Sequence, residues 1–431
     1  RALLYKWAAL IIEGEEGFPH HEKPDEFVFY RRYSKSPVEY PIGEMELDLD
    51  YFNGYGGFTK DGKEYIIKLG QGINTPSPWV NVISNREFGF IVTELGAGFT
   101  WAQNSRENKL TPWYNDPVVD KMGEIIYLVD KDTGEIWSIT PEPIRDEDDY
   151  IVTHGLGYTK FHNHSQGIEQ QLTIFASLDD NVKINLIDLK NDTDMDRDIA
   201  LYYYIRPVLG VTDEETQFLL ETDMQDGVFM VKNSTNSEFK DSTLFIGTSE
   251  EIRSYTGDRS EFLSSIPDYK SPEGIRRDML SNTVGMGYNP CGVINIEITI
   301  PANEQRDVVF LLGEGATLEE GKALLDKYRS TETARAALER VGEFWDEQLS
   351  TIQVETPDNS MNYLMNSWLM YQTIACRIWG RAGFYQVGGA FGARDQMQDA
   401  VNAVYHMPEK TRKQIIRNCR HQYREGDIQH W

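Results

Sequence analysis

Ile294-Asn-Ile-Glu-Ile-Thr-Ile300 places four isoleucines on one parity and Asn295, Glu297 and Thr299 on the other. A period of two belongs to a β-strand, whose successive side chains point to opposite faces. The stretch therefore reads as a half-buried strand of an antiparallel sheet. Upstream, short runs rich in Val, Ile, Tyr and Phe repeat the theme between turn residues. They include Tyr65-Ile-Ile-Lys-Leu69, Trp79-Val-Asn-Val-Ile83, Phe88-Gly-Phe-Ile-Val92 and Ile125-Ile-Tyr-Leu-Val129. Asp130-Lys-Asp-Thr-Gly134 supplies a hairpin loop before Glu135-Ile-Trp-Ser-Ile139. No convincing helical stretch interrupts residues 40 to 312. So many strands predict a large β-sandwich.

The period changes after Gly315. Thr317-Leu-Glu-Glu320 has the form of a capping box. Ala334, Ala337, Leu338, Val341, Trp345 and Leu349 then recur at helical spacing. This region, 314–355, is expected to be a helical linker, and Thr356-Pro-Asp358 ends it. A further helix is expected with Met361, Leu364, Met365, Trp368, Gln372, Ala375 and Ile378 near one face. A loop from Gly380 to Gly392 carries five glycines, and helices follow over about Asp395–His406 and Pro408–Arg424. The division is thus a segment 1–44, a sandwich domain 45–313, the linker, and a helical domain 356–431. Three or four helices cannot close an all-helical barrel, so that domain is expected to continue past Trp431.

Composition narrows the function. The chain has 431 residues, with 42 Lys plus Arg against 69 Asp plus Glu and a formal net charge of −27. That charge disfavours nucleic acid and anionic membrane surfaces as partners. Cys291, Cys376 and Cys419 are too few and too scattered for a disulfide framework, and a reducing, cytoplasmic compartment is expected. The apolar opening Arg1–Ile12 is short, is broken by Lys6, and reads as a buried element rather than a signal or membrane span.

Two constellations carry possible chemistry. In Gly392-Ala-Arg-Asp-Gln-Met-Gln-Asp399, helical geometry gathers Arg394, Asp395, Gln398 and Asp399 within an arc of roughly 140°. A guanidinium, an amide and two carboxylates suit a sugar, whose hydroxyls both donate and accept. A capping Asp with a solvated polar face explains the same residues, and slightly better on sequence alone. The second set is Asn104-Ser-Arg-Glu-Asn108 with Trp101, Trp113 and Tyr114, where rings beside Asn and Arg could hold a sugar. An ordered loop of turn residues with core tryptophans is at least as good a reading. Tyr51-Phe-Asn-Gly-Tyr-Gly-Gly57 reads as a hairpin or bulge rather than a phosphate cradle. His154, His162 and His164 read as core or surface histidines rather than metal ligands. Asp146–Asp149 and Asp179-Asp180 read as turns.

Several stretches together resemble the glycoside hydrolase family 94 phosphorylases. They are Tyr51–Phe58, Thr75-Pro-Ser-Pro-Trp-Val-Asn-Val-Ile83, Phe88-Gly-Phe90, Thr100–Trp113, Asn115-Asp-Pro117, Arg377-Ile-Trp379, Tyr385-Gln386, Arg394–Asp399 and Glu425–Trp431. They look most like the branch holding 1,2-β-oligoglucan phosphorylases and the phosphorylase-like domain of cyclic β-1,2-glucan synthases. The resemblance implies an N-terminal β-supersandwich, a helical linker and an (α/α)6 barrel of which only the beginning lies here.

It also implies reversible, inverting phosphorolysis of a β-glucoside to α-glucose 1-phosphate. Inorganic phosphate is the co-substrate, and no metal or organic cofactor is needed. One protein carboxyl then suffices where an inverting hydrolase uses two. By the same resemblance, Arg394 and Asp399 bind the glucosyl unit, with Asp395 and Gln398 in support. Gln429, His430 and Trp431 line the barrel mouth, and Asn104, Arg106 and Trp113 reach the acceptor side, across a homodimer interface in one arrangement. The family's general acid sits in an Asp-Asp–apolar–Trp element downstream, which nothing here supplies. No catalytic residue is therefore expected in this chain, and the partner it needs is the remaining C-terminal part of the same protein. Ala393 also stands where the family usually has an aromatic residue. A non-catalytic glucan-binding module is the alternative of a different class.

Overall fold

The computed structural model describes residues 29–35, 47–287, 289–388 and 392–428. The Arg1–Ile12 stretch lies outside them.

Two antiparallel sheets form the large N-terminal sandwich. The first has ten strands in the order Gly56–Phe58, Tyr65–Leu69, Tyr150–Gly155, Tyr158–Ser165, Ile168–Ala176, Val182–Asn191, Gln305–Gly315, Thr243–Thr248, Val228–Lys232 and Glu221–Gln225. The second has five: Ser254–Asp258, Pro290–Ile300, Arg197–Ile205, Glu124–Asp130 and Ile136–Ser138. Val80–Ser84, Phe88–Thr93 and Gly98–Ala102 make a separate three-stranded sheet.

Alternation decides what each strand buries. In Gln305–Gly315, Val308, Phe310 and Leu312 enter the sandwich core, while Val309 and Leu311 face the helices. A strand covered on both sides needs apolar residues at both parities, which is why Val-Val-Phe-Leu-Leu runs unbroken over 308–312. Ile294, Ile296, Ile298 and Ile300 line the same core. The other face of that strand departs from the expected polar surface. Asn295 is fully buried, and its Nδ2 donates to Leu201 O at 3.2 Å and Ile296 O at 3.1 Å. Cys291 and Val293 pack with Phe262, Leu263 and Ile275. The cover comes from the short helices Arg259–Leu263 and Glu273–Arg276, which the residue pattern did not reveal. Only Thr299, at the far end, is exposed as alternation suggests.

The helices lie on the outer face of the ten-stranded sheet. Thr317 caps Leu318–Tyr328 by accepting from Glu320 N at 3.2 Å. Glu320 Oε2 returns a bond to Ala316 N, one residue before the cap, at 2.8 Å. Ala334, Ala337, Val341, Trp345 and Leu349 bury against the sheet as their spacing predicts, Leu338 is partly buried, and Leu325 and Tyr328 of the preceding helix join them. Asp179 and Asp180 sit in the expected turn and also clamp these helices, accepting from Arg340 at 2.5 Å and Lys327 at 2.6 Å.

The 359–380 helix buries Trp368 and Ala375 of the expected face, but the buried face is rotated away from its other members. Tyr363, Ser367, Trp368, Tyr371, Ile374 and Ala375 are buried, whereas Met361, Leu364 and Met365 are 41–48% exposed. Polar handles on the aromatic residues set this orientation. Tyr363 OH donates to Asp50 Oδ2 at 2.8 Å, Trp368 Nε1 to Gly62 O at 2.7 Å, and Tyr371 OH reaches Asn81 Oδ1 at 2.9 Å and Val82 O at 3.0 Å. Turns over Leu364–Trp368 and Thr373–Gly380 are widened to π geometry. The last two helices are Ala393–Asn402 and Pro408–Arg420, each ending four residues before its expected limit.

Candidate substrate-binding site

The glycine-rich loop leaves the 359–380 helix through Arg381, whose φ of 48° is left-handed. It forms a small hairpin, Ala382–Gly383 with Gln386–Val387, then enters Ala393–Asn402 with Gly392 as N-cap. This turn brings Arg377 and Arg381 back over Asp399. Arg377 Nε donates to Asp399 Oδ1 at 3.2 Å, and Arg381 Nη1 lies 3.4 Å from Oδ2. Asp399 and Arg381 side chains are 14% and 8% exposed. Burial lowers the Arg381 pKa from its ordinary value, and Asp399 opposes the shift. Oδ2 of Asp399 accepts no hydrogen bond among the described residues, so its nearby guanidinium balances charge without saturating the oxygen.

These residues line a cavity of about 700 Å³ between the Val80–Ser84/Phe88–Thr93 turn and the last three helices. Seven of its lining side chains are cationic and two are carboxylates, in a chain whose net charge is −27. The neighbouring helix is held in place by hydrogen bonds. Thr411 Oγ1 donates to Ala400 O at 2.6 Å and Asn418 Nδ2 to Ala393 O at 2.9 Å.

The structure separates the residues that the sequence groups on one helix face. Asp399 lines the basic cavity. Asp395 lines an adjoining space of about 490 Å³ beside Trp368, Tyr371 and Gln386. Arg394 is 85% exposed, pairs only with Asp395 at 3.4 Å among the described residues, and borders a third, apolar hollow with Met397 and Ile415. Gln398 is exposed. Gln429, His430 and Trp431 lie outside the described residues.

In the second constellation, Asn104 Oδ1 accepts from Arg106 N at 2.9 Å and Glu107 N at 3.0 Å, which is a turn role. Arg106 pairs with Glu107 at 2.6 Å on the surface. Trp113 packs between Phe99 and Phe384, 5.3 and 5.0 Å centroid to centroid, joining the sandwich to the tip of the glycine-loop hairpin. Asn53 Oδ1 likewise accepts from Tyr55 N and Gly56 N, so Tyr51–Gly57 is a turn leading into a strand. His154 is buried between Thr159 Oγ1 and Trp79 O, and burial lowers its pKa to about 4. His162 and His164 meet Glu169 and Asp192 separately. Among the described residues no group of His, Cys, Asp and Glu is placed to hold a metal ion, and no helix is long and apolar enough to cross a membrane.

The residue reading passed over Arg377 and Arg381 as partners of Asp399. Their four-residue spacing at a helix end was visible, but the loop that folds them onto Asp399 was not.

Comparison with known proteins identifies the family. The glycosyl hydrolase 94 supersandwich domain matches residues 63–331, and the glycosyl hydrolase 94 superfamily catalytic domain matches 344–431. The chain is 36% identical over 392 residues to the cyclic beta-(1,2)-glucan synthase NdvB of Rhizobium meliloti (strain 1021), covering 89% of this chain and 14% of that protein. It is 28% identical over 384 residues to the N,N'-diacetylchitobiose phosphorylase of Vibrio proteolyticus, covering 86% and 47%. It is 26% identical over 388 residues to the solabiose phosphorylase of Paenibacillus borealis, covering 86% and 48%. The chain thus spans about half the length of these phosphorylases and a seventh of the synthase. With its supersandwich matched along most of its length and the start of a catalytic domain behind it, the chain belongs to glycosyl hydrolase family 94.

Proposed function

We propose that this chain is the N-terminal portion of an inverting glycoside phosphorylase acting on β-1,2-linked glucooligosaccharides. A phosphate oxygen attacks the anomeric carbon, the bond to the departing sugar oxygen breaks, and a general acid delivers a proton to that oxygen. The products are α-glucose 1-phosphate and a shortened chain, and the reaction runs in reverse as synthesis. The observation carrying the β-1,2 assignment is the 36% identity to a protein named for cyclic β-(1,2)-glucan. The relatives named as phosphorylases support the reaction type.

In this reading Asp399 places a carboxylate on the cavity wall for a glucosyl hydroxyl, oriented by Arg377 and Arg381. Asp395 extends the sugar contacts into the adjoining space, whereas Arg394 and Gln398, given that role by resemblance, lie outside both spaces. The general acid and the phosphate ligands follow Trp431, and Asn104, Arg106 and Trp113 serve the acceptor side from a second protomer.

The same relative favours a second version, in which this is the chain-trimming part of a cyclic glucan synthase. Multiple apolar spans encoded before Arg1 select that version. The test is phosphate release from glucose 1-phosphate by the full-length protein with a panel of acceptors. Sophorose as the preferred acceptor supports the β-1,2 reading; cellobiose or N-acetylglucosamine as the preferred acceptor rejects it.

A further inference from the structure

The basic cavity holds more positive charge than Asp399 requires. Arg377 and Arg381 answer that carboxylate. Arg86, Lys410, Lys413, Arg417 and Arg420 line the same cavity and make no ion pair among the described residues. Arg86 comes from the sandwich and the other four from one helix, Pro408–Arg420. Lys410, Lys413, Arg417 and Arg420 fall at intervals of three or four, so they share a helix face. Like charges gathered this way repel, and burial together with Arg86 and Lys413 lowers the Lys410 pKa. Neighbouring carboxylates would relieve that repulsion, yet among the described residues Glu87 and Asp399 are the only carboxylates on the lining.

The chain as a whole repels anions, at a net charge of −27. A phosphate dianion approaching such a surface is slowed unless the field reverses locally. A concave face lined by one sign of charge makes that reversal and focuses it.

We infer that Arg86 and the cationic face of Pro408–Arg420 are an electrostatic funnel that draws the phosphate dianion, or the phosphate of glucose 1-phosphate, toward the cavity at Asp399. The inference rests on the phosphorolytic reading for its ligand, and it assigns these side chains to capture rather than to bond breaking. They are positioning residues acting through the field, and they set the association rate. Their effect fades as salt shortens the screening length from about 10 Å at 0.1 M to about 3 Å at 1 M.

The test uses the full-length protein and inorganic phosphate. Association is followed by stopped-flow tryptophan fluorescence, Trp379 being on the cavity wall, at ionic strengths from 0.02 to 1 M (chosen to span the screening lengths above). The triple variant K413Q/R417Q/R420Q alters exposed residues. It is expected to associate roughly tenfold more slowly at the lowest salt and to match the parent at the highest. A control, K232Q/K240Q/K270Q, removes the same charge from exposed positions elsewhere and is expected to change the rate less than twofold.

In turnover assays the triple variant should lower kcat/KM for phosphate while leaving kcat unchanged. Equal salt dependence in parent and triple variant overturns the inference. So does a fall in thermal stability with unchanged association, which would make these cations structural ion-pair partners. If phosphate binding shows the predicted salt dependence but no β-glucoside is phosphorolysed, the funnel stands and the functional reading fails.

Discussion

Asp399 differs from an ordinary surface carboxylate in having two guanidiniums near it and one oxygen left without a hydrogen bond. In the proposed reading that carboxylate also serves the sugar, so removing its charge while keeping its shape should cost activity. Asp399→Asn in the full-length protein is expected to lower kcat/KM roughly 100-fold, with an unchanged circular dichroism spectrum. A loss below threefold would remove Asp399 from the sugar site.

Elsewhere, buried titratable groups set the pH response. Burial, with Glu94, Asp116 and Glu142 nearby, raises the Asp120 pKa to about 7 against the bond from Thr93 Oγ1. A raised carboxyl pKa means the folded state binds the extra proton between about pH 4 and 7, so stability from this group falls as pH rises through that window. His154, lowered to about 4, acts oppositely: its contribution is complete at neutral pH and is lost as pH falls below about 6.5 toward 4. The two slopes partly cancel. Asp120→Asn should leave the histidine slope alone, so its stability measured by urea unfolding should rise relative to the parent between about pH 4 and 7, by on the order of 1.4 kcal/mol per pH unit. Parallel pH profiles would refute this assignment. None of these values was legible in sequence, because each depends on which neighbours burial selects.

At the scale of elements, strands were the most legible feature and helix faces the least. Tyr65–Leu69 falls on its expected run, and Phe88–Thr93 and Glu124–Asp130 extend theirs by a residue or two, because β-branched and aromatic runs between turn residues have few other uses. The 359–380 helix face was read correctly at Trp368 and Ala375 and missed at Met361, Leu364 and Met365, where hydrophobicity was followed, whereas Tyr363 and Tyr371 bring hydrogen bonds as well as area.

Two predictions belong here. Tyr371→Phe removes the hydroxyl that joins Asn81 Oδ1, Val82 O and Gly157 N in a buried site. It should cost about 1–3 kcal/mol, measured by denaturant unfolding; a neutral result would mean those groups find other partners. Within the sandwich core, Lys183 Nζ meets Glu124 Oε2 at 2.8 Å, with Thr100 and Thr111 also donating to Glu124. Lys183→Met alone should destabilise by about 3–5 kcal/mol, and adding Glu124→Gln should recover much of the loss, since a lone buried charge costs more than a removed pair. Strictly additive losses would argue against that coupling.

At the scale of the molecule, the order of β-sandwich then helices could be read from the change of period near Gly315, and the ten- and five-stranded layers bear it out. The basic cavity could not be read. Arg86 is nearly 300 residues before Arg377 and over 300 before Pro408–Arg420, and only the docking of helices on the Val80–Ser84/Phe88–Thr93 turn brings them together. The Arg394–Asp399 face was visible as a pattern, but folding distributes it over three hollows.

If the general acid follows Trp431, the 431-residue chain alone should release no glucose 1-phosphate from sophorose above background; turnover would place the acid within it. The most direct measurement is proton NMR of the full-length protein with sophorose and inorganic phosphate. Appearance of α-glucose 1-phosphate with no β-anomer, and no comparable product from cellobiose or N,N'-diacetylchitobiose, is the expected result. Phosphorolysis of either of those sugars in preference to sophorose, or none of any β-glucoside, would contradict it.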